Sequence, residues 1–556
     1  MRSGHDEISC MLEQRIPEDA GDYEALSYTW GDPTEKRPIK CCNKPFLVTE
    51  NLFSALRHLR YADRGRVLWI DAICINQESI PERNQQVGIM GDIYKSAREV
   101  TIWLGEDEQG NDAVDAVDRI LQELSVIDRE EWINRYSVPN YDDSLGDPQI
   151  WRSLEWLFGL PWFRRVWVLQ EAALASSAIF MLGQQTLPWK NLGFAAVAIA
   201  RRAFRGWAGV KESLLGFEMF ILMDNYRERL VQGVEIDAVD AVWLASQCNA
   251  TDPRDKVFAL GGIVRKSNTL DAVRADYNAS YEEVLRNVAT ACLLKQKSLT
   301  ILSYVMTPAK ATQRGLPSWV PLWEFCGGRH PFTSAKTPFK ASGQSQIKLA
   351  MSDSCDALQI SGRVIGILNE VGEGPDPSTA ASQAGGSLRF DTDDLLDPRR
   401  DWLIKNWKLA SKVLPYHTLE DDIDVFWRTL CCDMMPSGEE APYEYRESFL
   451  YYWETHMGLN RSKPDLSKFG KFDGASQKWD RDRIIATTDN GSLVMGPPES
   501  CCGDVVCILF GSDFPSIVRQ TADDAFQLIG ECYVHGLMKG EALERVETED
   551  FVFNIK

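Results

Sequence analysis

A chain of 556 residues is too long for one core and implies about three domains at roughly 100–200 residues each. Its formal net charge of −21 excludes a nucleic-acid surface, which needs a basic face, but not a small anion held by a few local arginines such as Arg164 and Arg165. Apolar content of 44% and charged content of 25% are ordinary for a folded chain, and 18 Trp supply large buried area for well-packed cores.

Taken in chain order, the first 190 residues alternate strand and helix signals. "YEALSYTW" (Tyr23–Trp30) is a β-prone run closed by the turn Gly31-Asp32-Pro33. Leu52, Ala55, Leu56 and Leu59 then recur at helical spacing, with Thr49 as N-cap. "RVLWIDAICI" (Arg66–Ile75) is continuously apolar, as expected of a strand buried on both faces of a parallel sheet. The polar segment Asn76–Gln86 reads as a loop, and Met90, Ile93, Tyr94 and Ala97 share a helical face after it. "EVTIWLG" (Glu99–Gly105) reads as a third strand. Residues 106–150 look like an acidic, loop-like insertion. "RRVWVLQEAALA" (Arg164–Ala175) reads as one helix, and "SAIFMLGQQTL" (Ser177–Leu187) as a fourth strand. This β-α-β order implies an α/β fold with a parallel sheet and right-handed crossovers.

Residues 191–340 read as a mainly helical region, and 341–556 as a smaller β-rich C-terminal domain. Its strand-rich stretches 356–371 and 480–535 would pair across a helical insertion at about 395–470. Gly372–Gly386 has the composition of a linker or long loop.

The usual chemical motifs are missing. There is no G-x-x-x-x-G-K-[ST] loop and no G-x-S-x-G elbow, so ATPase and esterase readings lose their support. Fourteen Cys without C-x-x-C spacing and six scattered His argue for reduced thiols and no metal site. With no secretory segment and no run of about 18 apolar residues, the expectation is a cytoplasmic protein with no membrane segment.

Two carboxylates stand out. Asp71 ends the apolar part of an expected strand, where it would either accept from a ligand hydroxyl or cap the next turn. Glu82 and Arg83, with Asn76, Gln77, Gln85 and Gln86, form a polar patch after it. Glu171 lies in an apolar, aromatic run, spaced i, i+4, i+8 with Trp167 and Phe163, and Arg164 lies two turns away on the same expected face. Spacing alone leaves Glu171 open between a helical surface charge and a desolvated carboxylate of raised pKa.

"YEALSYTWG", "NLFSALRHLR", "LWIDAICINQESIPERNQQVGIMGDIYKSAREVTIWLG" and "PWFRRVWVLQEA" resemble successive motifs of the fungal heterokaryon-incompatibility (HET) domain. The resemblance covers about residues 23–190, which bounds a HET domain at 1–190. "TDPRDKVFALGG" (Thr251–Gly262), "LPSWVPLW" and "GECYVHGLMKGEA" resemble stretches that commonly follow it, with no assigned role. There are two departures. The family's short strand before "ISCML" has no room here, so a truncated N-terminus is expected, and Leu322-Trp323 stands where the family has Asp-Trp.

HET domains are in turn remotely similar to TIR domains, so the resemblance implies a flavodoxin/TIR-like parallel sheet. It puts Glu171 at the position of the catalytic glutamate of TIR NAD hydrolases, with Trp167 one turn before it. It further implies a pocket shaped by Tyr28, Trp30 and Trp167, with Asp71 and Arg83 orienting ligand or loop. NAD would be substrate rather than cofactor, and the outcome incompatibility-type cell death. The alternative implied by the same resemblance is a non-enzymatic module that self-associates through the Asn76–Gln86 segment as a homo-oligomer, acting on an unknown protein partner.

Overall fold

The computed structural model describes residues 7–16, 22–61, 63–107, 109–125, 147–201, 211–264, 274–325, 330–334, 337–375, 398–414, 421–459, 465–544 and 549–556. The fold is mixed α/β, in two compact units. One is Met1–Ala279 and the other is Ser280–Ala384 with Leu388–Lys556, so the mainly helical stretch 191–340 is shared between them.

In the first unit the strands are β1 (Ser9–Cys10), β2 (Glu24–Tyr28), β3 (Lys36–Cys41), β4 (Lys44–Thr49), β5 (Leu68–Trp69), β6 (Glu99–Gly105), β7 (Ala178–Leu182) and β8 (Gln185–Pro188). The helices are α1 (Glu50–Leu59), α2 (Asp71–Cys74), α3 (Ile80–Ser96), α4 (Gln109–Ser125), α5 (Pro148–Gly159), α6 (Val168–Ala173), α7 (Trp189–Arg201), α8 (Lys211–Val231), α9 (Ala238–Ser246) and α10 (Asp255–Phe258). The main sheet runs β5-β2-β6-β7-β8. Its first three pairings are parallel and the last is antiparallel. Strand β2 has neighbours on both sides, and all five of its residues are buried. A small sheet, β1-β3-β4, packs with α1 around Leu26, Ile39, Val48 and Leu52.

Several expected elements form as their spacing predicts. Thr49 caps α1 by accepting from the Leu52 amide at 3.4 Å, and Leu52, Ala55 and Leu59 are buried. Met90, Ile93 and Tyr94 form the buried side of α3.

Three expectations need correction. The apolar run 66–75 is not one doubly buried strand. Only Leu68–Trp69 pairs, at the sheet edge, where both residues are half-buried. The chain then turns into α2, with Asp71 Oδ1 accepting from the Ala72 amide at 2.7 Å. An apolar run does not distinguish a strand from a strand plus a helical turn. Second, Asn76–Gln86 is a loop only as far as Ser79. Ser79 Oγ accepts from the Glu82 amide, Pro81 sits in the first turn, and Glu82, Arg83, Gln85 and Gln86 are helical. The S-x-x-E pattern with Pro just inside was the available signal. Third, Ser177–Leu187 is a hairpin rather than one strand, turning at Gly183 with φ +56°. Within the expected insertion, α4 is helical, and residues 126–146 lie outside the described residues.

The second unit carries β9 (Leu349–Met351), β10 (Leu358–Val371), β11 (Ile484–Thr488), β12 (Leu493–Gly496), β13 (Val505–Leu509), β14 (Ser516–Gln520), β15 (Phe526–Glu531), β16 (Tyr533–Val534) and β17 (Phe551–Ile555). The 14-residue β10 pairs with β17 through Leu358–Gly362, with β13 through Gly362–Ile367 and with β11 from Leu368. Because β10 touches both β17 and β13, the path β13-β14-β15-β17-β10 closes on itself as a ring. The register shift near Gly366 is where β10 bends. Helices between β10 and β11 pack Trp427, Phe472 and Trp479 into a separate core. Of the expected linker Gly372–Gly386, residues after 375 lie outside the described residues.

Candidate functional site

The stretch expected as a single helix is broken. Pro161–Arg164 forms a 3-10 turn, Arg165 is extended (φ −80°, ψ 131°), and α6 starts only at Val168. A distant segment causes the break. The Asn249 amide donates to the Arg164 carbonyl at 2.5 Å, and the Val166 amide donates to the Asn249 carbonyl at 3.0 Å. Backbone groups committed to that bridge cannot also close helical hydrogen bonds. The expected stripe of Phe163, Trp167 and Glu171 therefore does not exist, and Arg165 rather than Arg164 is the guanidinium beside Glu171.

Glu171 is 1% exposed. Its Oε2 accepts from Ser27 Oγ, in β2, at 2.5 Å, and Ser27 Oγ accepts from Trp162 Nε1 at 2.8 Å. On the other side Arg165 Nη1 lies 3.9 Å from Glu171 Oε1 and donates to the Tyr28 carbonyl. Arg165 Nη2 lies 3.7 Å from Asp71 Oδ2, and that oxygen accepts from Trp30 Nε1 at 2.8 Å. The Tyr28 hydroxyl also bonds Asp71. Four expected site residues, Glu171, Tyr28, Trp30 and Asp71, thus meet at the carboxyl ends of β2 and β5, joined by Arg165. Trp30, 40% exposed, is the most solvent-exposed member.

Burial sets the electrostatics. It pushes the Glu171 carboxyl up to about 7; Arg165 and the Ser27 hydroxyl pull the other way, and Asp71 adds to the rise. Burial, then the negative Asp71, pushes the Tyr28 phenol well above its ordinary value. Burial disfavours the charge on Arg165, but Glu171 and Asp71 more than offset it.

Arg83 and Trp167 are not brought to that cluster. Trp167 Nε1 donates to Asp255 Oδ2 at 3.1 Å, and the Tyr277 hydroxyl donates to Asp255 Oδ1 at 2.6 Å. The Arg83 guanidinium stacks on the Tyr277 ring at 3.7 Å. Asn84 Oδ1 accepts from the Tyr277 amide at 2.9 Å. Sequence reasoning gave no site role to Ser27, Trp162, Asp255 or Tyr277, and named Arg165 only as a local arginine able to hold an anion. The quoted motifs contain Ser27, Trp162, Arg165 and Asp255, whereas Tyr277 carried no signal.

Two sequence families match this chain. The one described as "Heterokaryon incompatibility protein (HET)" matches residues 23–171, and the one described as "Het-6 beta-barrel domain" matches residues 464–554. "Heterokaryon incompatibility protein 6, OR allele" of Neurospora crassa is 25% identical, over 98% of this chain and 93% of that protein. No solved structure matches. Among the described residues, no helix is long and apolar enough to cross a membrane, and no group of three or more His, Cys, Asp or Glu could hold a metal ion.

Proposed function

The chain belongs to the heterokaryon-incompatibility (HET) domain family, and from that membership we propose that it is an incompatibility effector in fungal non-self recognition that hydrolyses NAD at the nicotinamide–ribose bond. The observation that carries the reading is Glu171, a buried carboxylate at the carboxyl ends of β2 and β5 with a proton affinity near neutrality. The sheet order, numbered by strand along the chain, is second-first-third-fourth-fifth with three parallel pairings. Doubly wound sheets of that order take ligands beyond the carboxyl ends of their strands, which supports a flavodoxin/TIR-like reading of the domain.

The chemistry asks for one carboxylate. The nicotinamide of NAD is already cationic and leaves as a neutral amide, so no general acid is needed. The demand is to stabilise an oxocarbenium-like ribose, which a desolvated carboxylate meets far better than a hydrated one. Arg165 is the resident cation beside Glu171; the ribosyl cation takes its place while Asp71 retains the guanidinium. Trp30 stacks on the ligand from the solvent side. Full-length protein should release nicotinamide from NAD, faster than from NADP and with no turnover of ATP, and Glu171→Ala should abolish it. Equal turnover by the variant sinks the assignment.

A second reading rests on the closure of the same network. Glu171 is almost fully buried and satisfied by Ser27 and Arg165, as an architectural pin would be. The domain would then signal by self-association with a protein partner and leave NAD untouched. A Glu171→Gln protein that still assembles and triggers incompatibility favours it.

A further inference from the structure

Residues 249–264 and 274–279 lie beyond residues 23–171, yet the first of these stretches grips the chain just before Glu171. Helix α6 has only six residues, too few to hold its own geometry. Its entry is tied by the Asn249 bridge to Arg164 and Val166, and by Asp255 accepting from Trp167 Nε1. The Trp167 carbonyl in turn accepts from the Glu171 amide at 3.2 Å, so whatever fixes Trp167 fixes the first turn that carries Glu171. Its first turn is tied again where the Gly262 amide donates to Gln170 Oε1 at 3.3 Å. There Gly262 and Gly91 meet backbone to backbone, so closely that a Cβ on Gly262 would lie 2.9 Å from the Gly91 Cα. Arg254 closes the strap on itself through Asp252 and the carbonyls of Tyr277 and Ala279. Asp255 is therefore spent inside the protein: one oxygen serves Trp167 and the other Tyr277.

We propose that Asp255 is a positioning residue for the Glu171 site, acting through the indole N–H of Trp167 to hold α6 where the Glu171 carboxylate meets Ser27 and Arg165. The proposal rests on the reading of Glu171 as the reacting carboxylate, but two separate readouts judge it.

The experiment uses the full chain with Asp255→Ala, Trp167→Phe, the double variant and Asp255→Asn. The first readout is steady-state NAD hydrolysis. Asp255→Ala and Trp167→Phe should each lower kcat about 10- to 100-fold, as a slight misplacement of a reacting group does, with KM within about twofold. The double variant should be no slower than the slower single one, because both remove one interaction. Asp255→Asn keeps an acceptor for Trp167 and can donate to the Tyr277 oxygen, so it should restore most of the rate. The second readout is the titration of Glu171 itself, followed as the carboxyl infrared band that Glu171→Gln removes. Loosening α6 admits water, so the midpoint should fall by about one pH unit in Asp255→Ala and stay in place in Asp255→Asn.

If wild-type protein leaves NAD intact, the hydrolase reading falls, and the titration alone then decides the role of Asp255. An unmoved midpoint in Asp255→Ala overturns the proposal, as does a kcat equal to wild type in an active enzyme. Additive losses in the double variant also overturn it, since they would mean that Asp255 and Trp167 act independently.

Discussion

Replacing Glu171 by Gln should change how stability depends on pH, with a sign fixed by burial. The folded chain holds the Glu171 proton up to about pH 7, whereas an unburied glutamate releases it near 4.5. Between those values the folded state binds more protons than the unfolded one, so wild-type stability falls as pH rises through the window and the loss is complete above it. The gap corresponds to about 3 kcal/mol. Gln carries no such proton and keeps an oxygen to accept from Ser27, so the variant lacks this component. The assay is thermal unfolding of both proteins from pH 5 to pH 8, following the transition of the first unit. The variant should gain on wild type by about 4–6 °C across that range, given the entropy of unfolding of a unit this size. Parallel curves would refute the argument. So would wild type gaining on the variant with pH, which would mean that Arg165 outweighs burial and holds the carboxylate below its ordinary range.

Other substitutions test the surrounding contacts. Ser27→Ala removes the acceptor of Trp162 Nε1 and the donor to Glu171; urea unfolding should show a loss of about 1–3 kcal/mol, and the Glu171 titration should move further up. Gly262→Ala would set a Cβ 2.7 Å from Leu174 Cδ1 and 2.9 Å from Gln170 Oε1, and should lower stability by about 1–3 kcal/mol. Gly65→Ala, with nothing within 4 Å, should not destabilise and serves as its control. In the second unit Arg483 is fully buried, donates to the carbonyls of Trp479 and His330, and lies 3.4 Å from Glu531. Removing its charge in Arg483→Met leaves Glu531 buried without that cation, and thermal unfolding should register a loss of about 3–5 kcal/mol.

Much of the first unit follows from residue spacing. The strands Glu24–Tyr28, Glu99–Gly105 and Ala178–Leu182, the Thr49 cap and the buried face of Met90, Ile93 and Tyr94 are local patterns, and periodicity and capping are local physics. The motifs also marked Glu171, Asp71, Tyr28 and Trp30 as residues worth placing, and these four meet in one cluster. Spacing failed where a remote partner decides the outcome. Leu68–Trp69 is an edge strand because, among the described residues, no strand pairs with its far side. Arg164–Ala175 is not one helix because Asn249 claims the backbone of Arg164 and Val166. Trp167 and Arg83 leave the Glu171 cluster because Asp255 and Tyr277 bind them elsewhere. The protonation of Glu171 is of the same kind: the chain supplies a carboxylate in an apolar run, and only packing supplies Ser27 on one oxygen, Arg165 near the other and the exclusion of water from both. Desolvation and pairing are properties of what surrounds a side chain in space, so tertiary structure alone decided which cation stands beside that carboxylate.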